Sequence, residues 1–161
     1  MTRGLTRGVL AMFVAYTAMM GSARAQQTIV VSVPATVSFT VTNISETTVG
    51  TPAPTTIQVV NPLGFANGDK VRISIKSDTA DFSGPGGTAI SASAITWTAT
   101  ATGGNPSNGT LSSTTYAEVF RSTGKSAAGM AFLTWRVGPI SASGVRAGTH
   151  TLNVRWKFEV F

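Results

Sequence analysis

From residue 26 onward the chain alternates apolar and polar residues in segment after segment, and a period of two restricts it to β-structure. Val37, Phe39 and Val41 alternate with Ser38 and Thr40, and Val71, Ile73 and Ile75 with Arg72, Ser74 and Lys76. Ile95, Trp97 and Ala99 are interleaved with Thr96, Thr98 and Thr100, while Leu133, Trp135 and Val137 oppose Phe132, Thr134 and Arg136. Shorter strands are expected around Ile57 and Val59, ended by Asn61-Pro62, and over Tyr116–Arg121. The last is the longest: Leu152, Val154, Trp156, Phe158 and Val160 share one face, and Asn153, Arg155, Lys157 and Glu159 the other. No window past residue 25 carries a helical period.

Gly/Pro/Ser/Asn clusters separate these segments, and the two longest, 81–93 and 102–115, read as irregular loops. About seven or eight short strands in one stretch predict an all-β domain over residues 26–161. The expected architecture is a single antiparallel immunoglobulin-like β-sandwich, because the loops vary too much in length for a simple meander. An up-and-down barrel is the alternative.

Residues 1–25 follow a different rule. Arg3 and Arg7 precede an apolar run from Val9 to Met20, which leads into Ala23-Arg24-Ala25. That is the order of a cleavable secretory signal peptide, with a small-x-small cleavage site. The run is shorter than the roughly 20 apolar residues that span a bilayer, so no integral membrane segment is expected after cleavage. The mature protein is expected outside the cytoplasm, in the periplasm, at the cell surface or in the medium. Cleavage exposes Gln26 and an alternating segment with Ile29, Val31 and Val33 ahead of Pro34. This segment is either the first strand of its own sheet or a strand lent to a neighbour.

Loss of Arg3, Arg7 and Arg24 lowers the formal charge from +6 to +3, and the remaining basic residues are scattered singly. No basic stripe remains for a nucleic acid. Cysteine is absent, which excludes disulfides, thiol catalysis, cysteine–zinc sites and covalent haem attachment. The Asn-x-Ser/Thr sequons at Asn43 and Asn108 read as chance matches.

Chemistry is equally sparse. His150 is the single histidine, no Gly-x-Ser-x-Gly elbow exists, and His150 reads as an ordinary residue opening the last strand. The six acids are Glu46, Asp69, Asp78, Asp81, Glu118 and Glu159. Asp69 belongs to an Asn67-Gly68-Asp69 turn, and Asp78 and Asp81, which could offer two calcium ligands, read as loop caps. Gly84–Gly87 and Gly103-Gly104 lack the Lys-Ser/Thr and helix start of a phosphate cradle. No catalytic, cofactor-binding or metal-binding residue is therefore expected. Arg155-Trp156-Lys157-Phe158 mixes basic and aromatic residues, but alternation sends the charges to one face and the rings to the other, which defeats base stacking. Trp97, Trp135 and Trp156 are expected in the core, and an exposed one would offer a sugar platform. Phe82, Tyr116 and Phe161 are the least constrained aromatics and the candidate interaction residues, with Phe161 on the polar face of the last strand.

Arg146 is followed by Ala147-Gly148-Thr149-His150 and then the long alternating strand. This resembles the end of bacterial fimbrial and spore-coat-U-type subunits, which close with an Ala-Gly-Thr-Tyr-like turn into a hydrophobic final strand. The low-charge, Ser/Thr/Ala/Gly-rich composition is similar too. The resemblance implies an immunoglobulin-like sandwich exported to the surface, often completed by a strand from a neighbour. Two departures stand beside it: such subunits usually carry cysteines, and this chain has enough strands of its own. The function expected is that of a non-enzymatic secreted structural or surface-interaction protein: a matrix, coat or pilus-like component. Its partners would be further copies or other envelope proteins. A carbohydrate or cell-envelope binding module is the alternative, and a hydrolase built on His150 comes third.

Overall fold

The alternating segments pair into two antiparallel sheets in a computed structural model that describes residues 30–60, 68–85, 89–123, 129–140 and 145–161. The predicted leader, Ile29, Asn61-Pro62, Asn67 and Gly86-Gly87 lie outside the described residues. Among the described residues there are eleven strands: β1 (Val30–Ser32), β2 (Thr36–Val41), β3 (Thr48–Val49), β4 (Thr55–Val60), β5 (Val71–Ser77) and β6 (Ile95–Thr102). They continue with β7 (Gly104–Pro106), β8 (Gly109–Thr110), β9 (Ala117–Ser122), β10 (Gly129–Val137) and β11 (Gly148–Val160). One sheet runs β1-β4-β10-β6-β8, with β3 also pairing to β10, and the other runs β2-β11-β5-β9-β7.

Alternation does the sorting. Val37, Phe39 and Val41 of β2, Ile73 and Ile75 of β5 and Leu133, Trp135 and Val137 of β10 are all buried in one core. Trp97 and Trp135 face each other in register across β6 and β10, edge to face at 5.6 Å between ring centroids. Each indole N–H has an acceptor: Trp97 donates to the Ser107 carbonyl (2.8 Å) and Trp135 to Thr55 Oγ1 (2.7 Å). Burying these rings therefore leaves no donor stranded.

The two long loops are more ordered than their composition predicts. The segment 102–115 holds β7 and β8, and Leu111 is buried beneath it. In 81–93, Asp81 bridges to Ser91 and Ser83 to Thr151, and Ala92–Ala94 form a 3₁₀ turn capped by the Ser91 side chain. Glycine-rich sequence does not forbid pairing when a neighbouring strand supplies the partner. These short elements raise the strand count above the seven or eight expected.

Residues 30–32 pair antiparallel with β4 of their own chain, Val31 opposite Val59. The chain then crosses through Pro34 to place β2 in the opposite sheet, against the first half of β11. The second half of β11 pairs with β5 on its other side. No single neighbour accompanies β11 along its whole length, and this offset shapes the candidate site.

Candidate interaction surface

Hydrogen-bond parity defines what the far half of β11 offers. The Asn153 carbonyl accepts from Asp78 N–H (2.9 Å), and Phe161 exchanges a pair of 3.0 Å bonds with Lys70. Odd-numbered residues therefore turn their backbone groups toward β5, and even-numbered residues turn theirs the other way. There Val154 N–H donates to the Ala35 carbonyl (2.9 Å), and β2 begins. Beyond Val154, among the described residues, no strand pairs with the backbone of Trp156, Phe158 or Val160 on that side. Among the described residues it is a free sheet edge.

The side chains of this stretch change character with it. Leu152 and Val154 are buried, Trp156 is half-buried with its N–H donated to the Pro34 carbonyl (2.7 Å), and Phe158 and Val160 are 39% and 38% exposed. Trp156, expected in the core, is thus only partly covered. Ile73 and Val71, the cross-strand partners of Phe158 and Val160 on β5, are fully buried, so the opening lies on the β11 side alone. Two large apolar side chains beside backbone left unpaired by the described residues are a candidate association surface.

The opposite face of the same strand carries charge. Glu159 accepts from Lys157 Nζ (2.8 Å) and Arg72 Nε (3.0 Å), Arg121 binds Glu118 at 2.6 Å, and Arg155 pairs with Asp78. The Lys157 hydrogen bond, then that of Arg72, holds the Glu159 carboxyl below its ordinary value. Hydrogen bonds donated to Glu118 and Asp78 raise Arg121 and Arg155 respectively, with the direct charge attraction next in each case. A bulge in β9 at the Ile73/Ser74 step sets Glu118 opposite Ser74 and Arg121 opposite Arg72. Two like charges thus face each other, and the Phe161 ring sits 5.5 Å from Arg72 and 5.3 Å from Arg121, offsetting their repulsion by cation–π attraction.

Because the folded Glu159 carboxyl titrates below the unfolded one, its contribution to stability is present above the unfolded value and lost as pH falls through the folded value. Glu159→Gln is expected to melt below wild type at neutral pH, with the gap closing in acid and narrowing in high salt. Melting curves of both proteins across pH check this.

The three candidate aromatics part company. Phe82 is 4% exposed and packs edge to face on Phe39 at 5.7 Å between ring centroids, so it is a core residue and not a loosely held surface ring. Tyr116 and Phe161 are 40% and 51% exposed. Lys76 lies 5.2 Å and Lys157 6.0 Å from the Tyr116 ring centroid. Arg72, Ser74, Tyr116, Glu118, Lys157 and Glu159 line a shallow hollow of about 260 Å³ on this face. Trp97 and Trp135 are buried as expected, and neither offers a platform. Iodide is expected to quench a single tryptophan, and Trp156→Phe should remove the quenchable emission.

His150 is buried on the core side of β11, its Nε2–H donating to the Arg146 carbonyl (2.9 Å) while Nδ1 has no partner. Its ring packs on Gly84, where a Cβ would collide with it. Among the described residues no serine or acid is hydrogen-bonded to it. Asp78 is committed to Arg155, and no group of three His, Cys, Asp or Glu side chains suited to a metal occurs among the described residues. No helix among them is long and apolar enough to cross a membrane. The free edge itself escaped sequence reasoning: alternation gives the face of each residue but not whether a neighbour covers it. Comparison with protein-family models, curated proteins and solved structures returned no match.

Proposed function

We propose that this chain is an exported, non-enzymatic structural or surface-interaction protein, a matrix, coat or pilus-like component that works by association with other protein strands. The observation that carries the reading is the free edge of β11, where unpaired backbone runs beside the exposed Phe158 and Val160. A natural protein normally protects such an edge with charge, proline or a covering segment, and one left apolar is a place for another chain to add.

Strand order supports an immunoglobulin-like sandwich. In chain order, β1, β4, β5, β6, β10 and β11 stand where strands A to F stand in that fold: β1-β4-β10-β6 reproduces A-B-E-D, and β11 beside β5 reproduces F beside C. The place of strand G is taken by β2 along 148–153 and left open beyond. The resemblance to fimbrial and spore-coat-U-type subunits, often completed by a neighbour's strand, points the same way. The Arg3–Ala25 signal supports export.

Fractionation of the producing cells, with electron microscopy and light scattering of residues 26–161, tests the reading. Recovery in an extracytoplasmic fraction and growth of scattering mass with concentration are expected. A cytoplasmic location, or a strictly monomeric and non-adherent protein at high concentration, would sink it. A carbohydrate-binding reading draws on Tyr116 and Phe161 around the Ser74 hollow. A glycan array on which Tyr116→Ala and Phe161→Ala bind no less than wild type, or on which none binds, removes it.

A further inference from the structure

We infer that the free edge of β11 is closed by the same edge of a second copy, in a single register centred on Phe158. The inference rests on the association reading above and adds the partner and the register.

The backbone narrows the choice first. Only even-numbered residues present N–H and C=O to the open side, so in a two-fold antiparallel pair even residues must meet even residues. Ala35 occupies the edge at Val154, so a partner strand can pair with β11 only beyond that point, from Arg155 to the strand's last residue, Val160. The permitted centres are then few, and charge decides among them.

Centred on Phe158, the pairing sets Lys157 against the partner's Glu159 and Glu159 against the partner's Lys157. Centring on Lys157 sets that lysine against its own copy, centring on Glu159 does the same for the carboxylate, and centring on Trp156 sets Lys157 against the partner's Arg155. Like charges directly opposite on one sheet face are unfavourable and unlike ones favourable. The Phe158 register also places the two Phe158 rings together and Trp156 over the partner's Val160, covering the side chains that are exposed in the monomer. The strand Arg155-Trp156-Lys157-Phe158-Glu159-Val160-Phe161 is thus complementary to itself read backwards, as an interface of two-fold symmetry requires.

A donated N-terminal segment fits less well. Gln26 to Val33 carries no charged side chain to meet Lys157 and Glu159, and residues 30–32 are already paired with β4. The edge is short, so the dimer should form with rising concentration and not be permanent.

Sedimentation equilibrium of residues 26–161 tests the pairing, with near-ultraviolet circular dichroism establishing that each variant is folded. Wild type should pass from one to two copies as concentration rises. Lys157→Glu and Glu159→Lys, each alone, should shift that midpoint about tenfold higher, since each replaces two unlike contacts with like ones. An equimolar mixture of the two variants should dimerise again near the wild-type concentration, because every introduced charge then meets its opposite. A folded mixture that stays monomeric, or single variants that dimerise like wild type, would overturn the register while leaving the surface-component reading in place. Loss of the dimer on deleting residues 26–29 would overturn it in favour of a donated strand. A wild type that stays monomeric yet adheres to the cell surface overturns the pairing alone; one that is monomeric and non-adherent, or cytoplasmic, overturns the functional reading as well.

Discussion

Trp135→Ala is expected to lower the unfolding free energy by about 3–5 kcal/mol, the range for truncating a large buried aromatic. Trp135 is fully buried on β10 and packs on Trp97 across the sheet. Its N–H also satisfies Thr55 Oγ1, a buried hydroxyl that would retain only its 3.2 Å bond to the Pro52 carbonyl. Truncation thus opens a cavity and weakens a polar contact at once. Trp135→Phe separates the two effects: it keeps most of the packing and loses the hydrogen bond, so it should cost less. Urea unfolding of wild type and both variants measures the series, and an alanine variant within about 1 kcal/mol of wild type, the worth of one hydrogen bond, would contradict the packing described.

Gly50→Ala carries the second large expected effect, a destabilisation of about 1–3 kcal/mol by overpacking. A Cβ at this position would lie 2.8 Å from Cε1 and Cζ of Phe39 and 2.9 Å from Cβ of Trp135. The backbone has little room to retreat, because Gly50 N–H donates to the Trp135 carbonyl at 3.0 Å and Thr51 is bonded to Ser38 on β2. The two changes share a neighbourhood, so their costs should not add: the space vacated by the Trp135 indole gives the Phe39 ring somewhere to move. The double variant is expected to lose less than the sum of the singles, which the same unfolding curves would reveal.

Both predictions concern positions whose importance differs in how it can be read. Trp135 sits in an alternating run with Leu133 and Val137, so its burial follows from the period of the strand. Gly50 lies in a stretch with no such period, and the reason for a glycine there is the ring of Phe39, distant in sequence and brought close only by the fold. Phe82 repeats the lesson. Its surroundings of serine, glycine and proline suggest a surface ring, yet a backbone bond from Phe82 N–H to the Ile90 carbonyl (2.9 Å) folds the segment over so that it joins Phe39 in the core.

By itself the sequence determined the longer strands, the face to which side chains belong where alternation is unbroken, and the separation of Arg155 and Lys157 from Trp156 and Phe158. A side-chain period of two is a local property of the backbone, so it survives without knowledge of neighbours. The tertiary structure alone decided which faces and edges are covered. Pairing is a matter of distant segments: β2 reaches β11 only as far as Val154, β5 continues beyond it, and the bulge in β9 resets the charges opposite β5. Phe158 and Leu152 lie on the same face of one strand in the sequence, yet Leu152 is core and Phe158 is exposed. The difference is the presence or absence of a neighbouring strand, which no local pattern encodes.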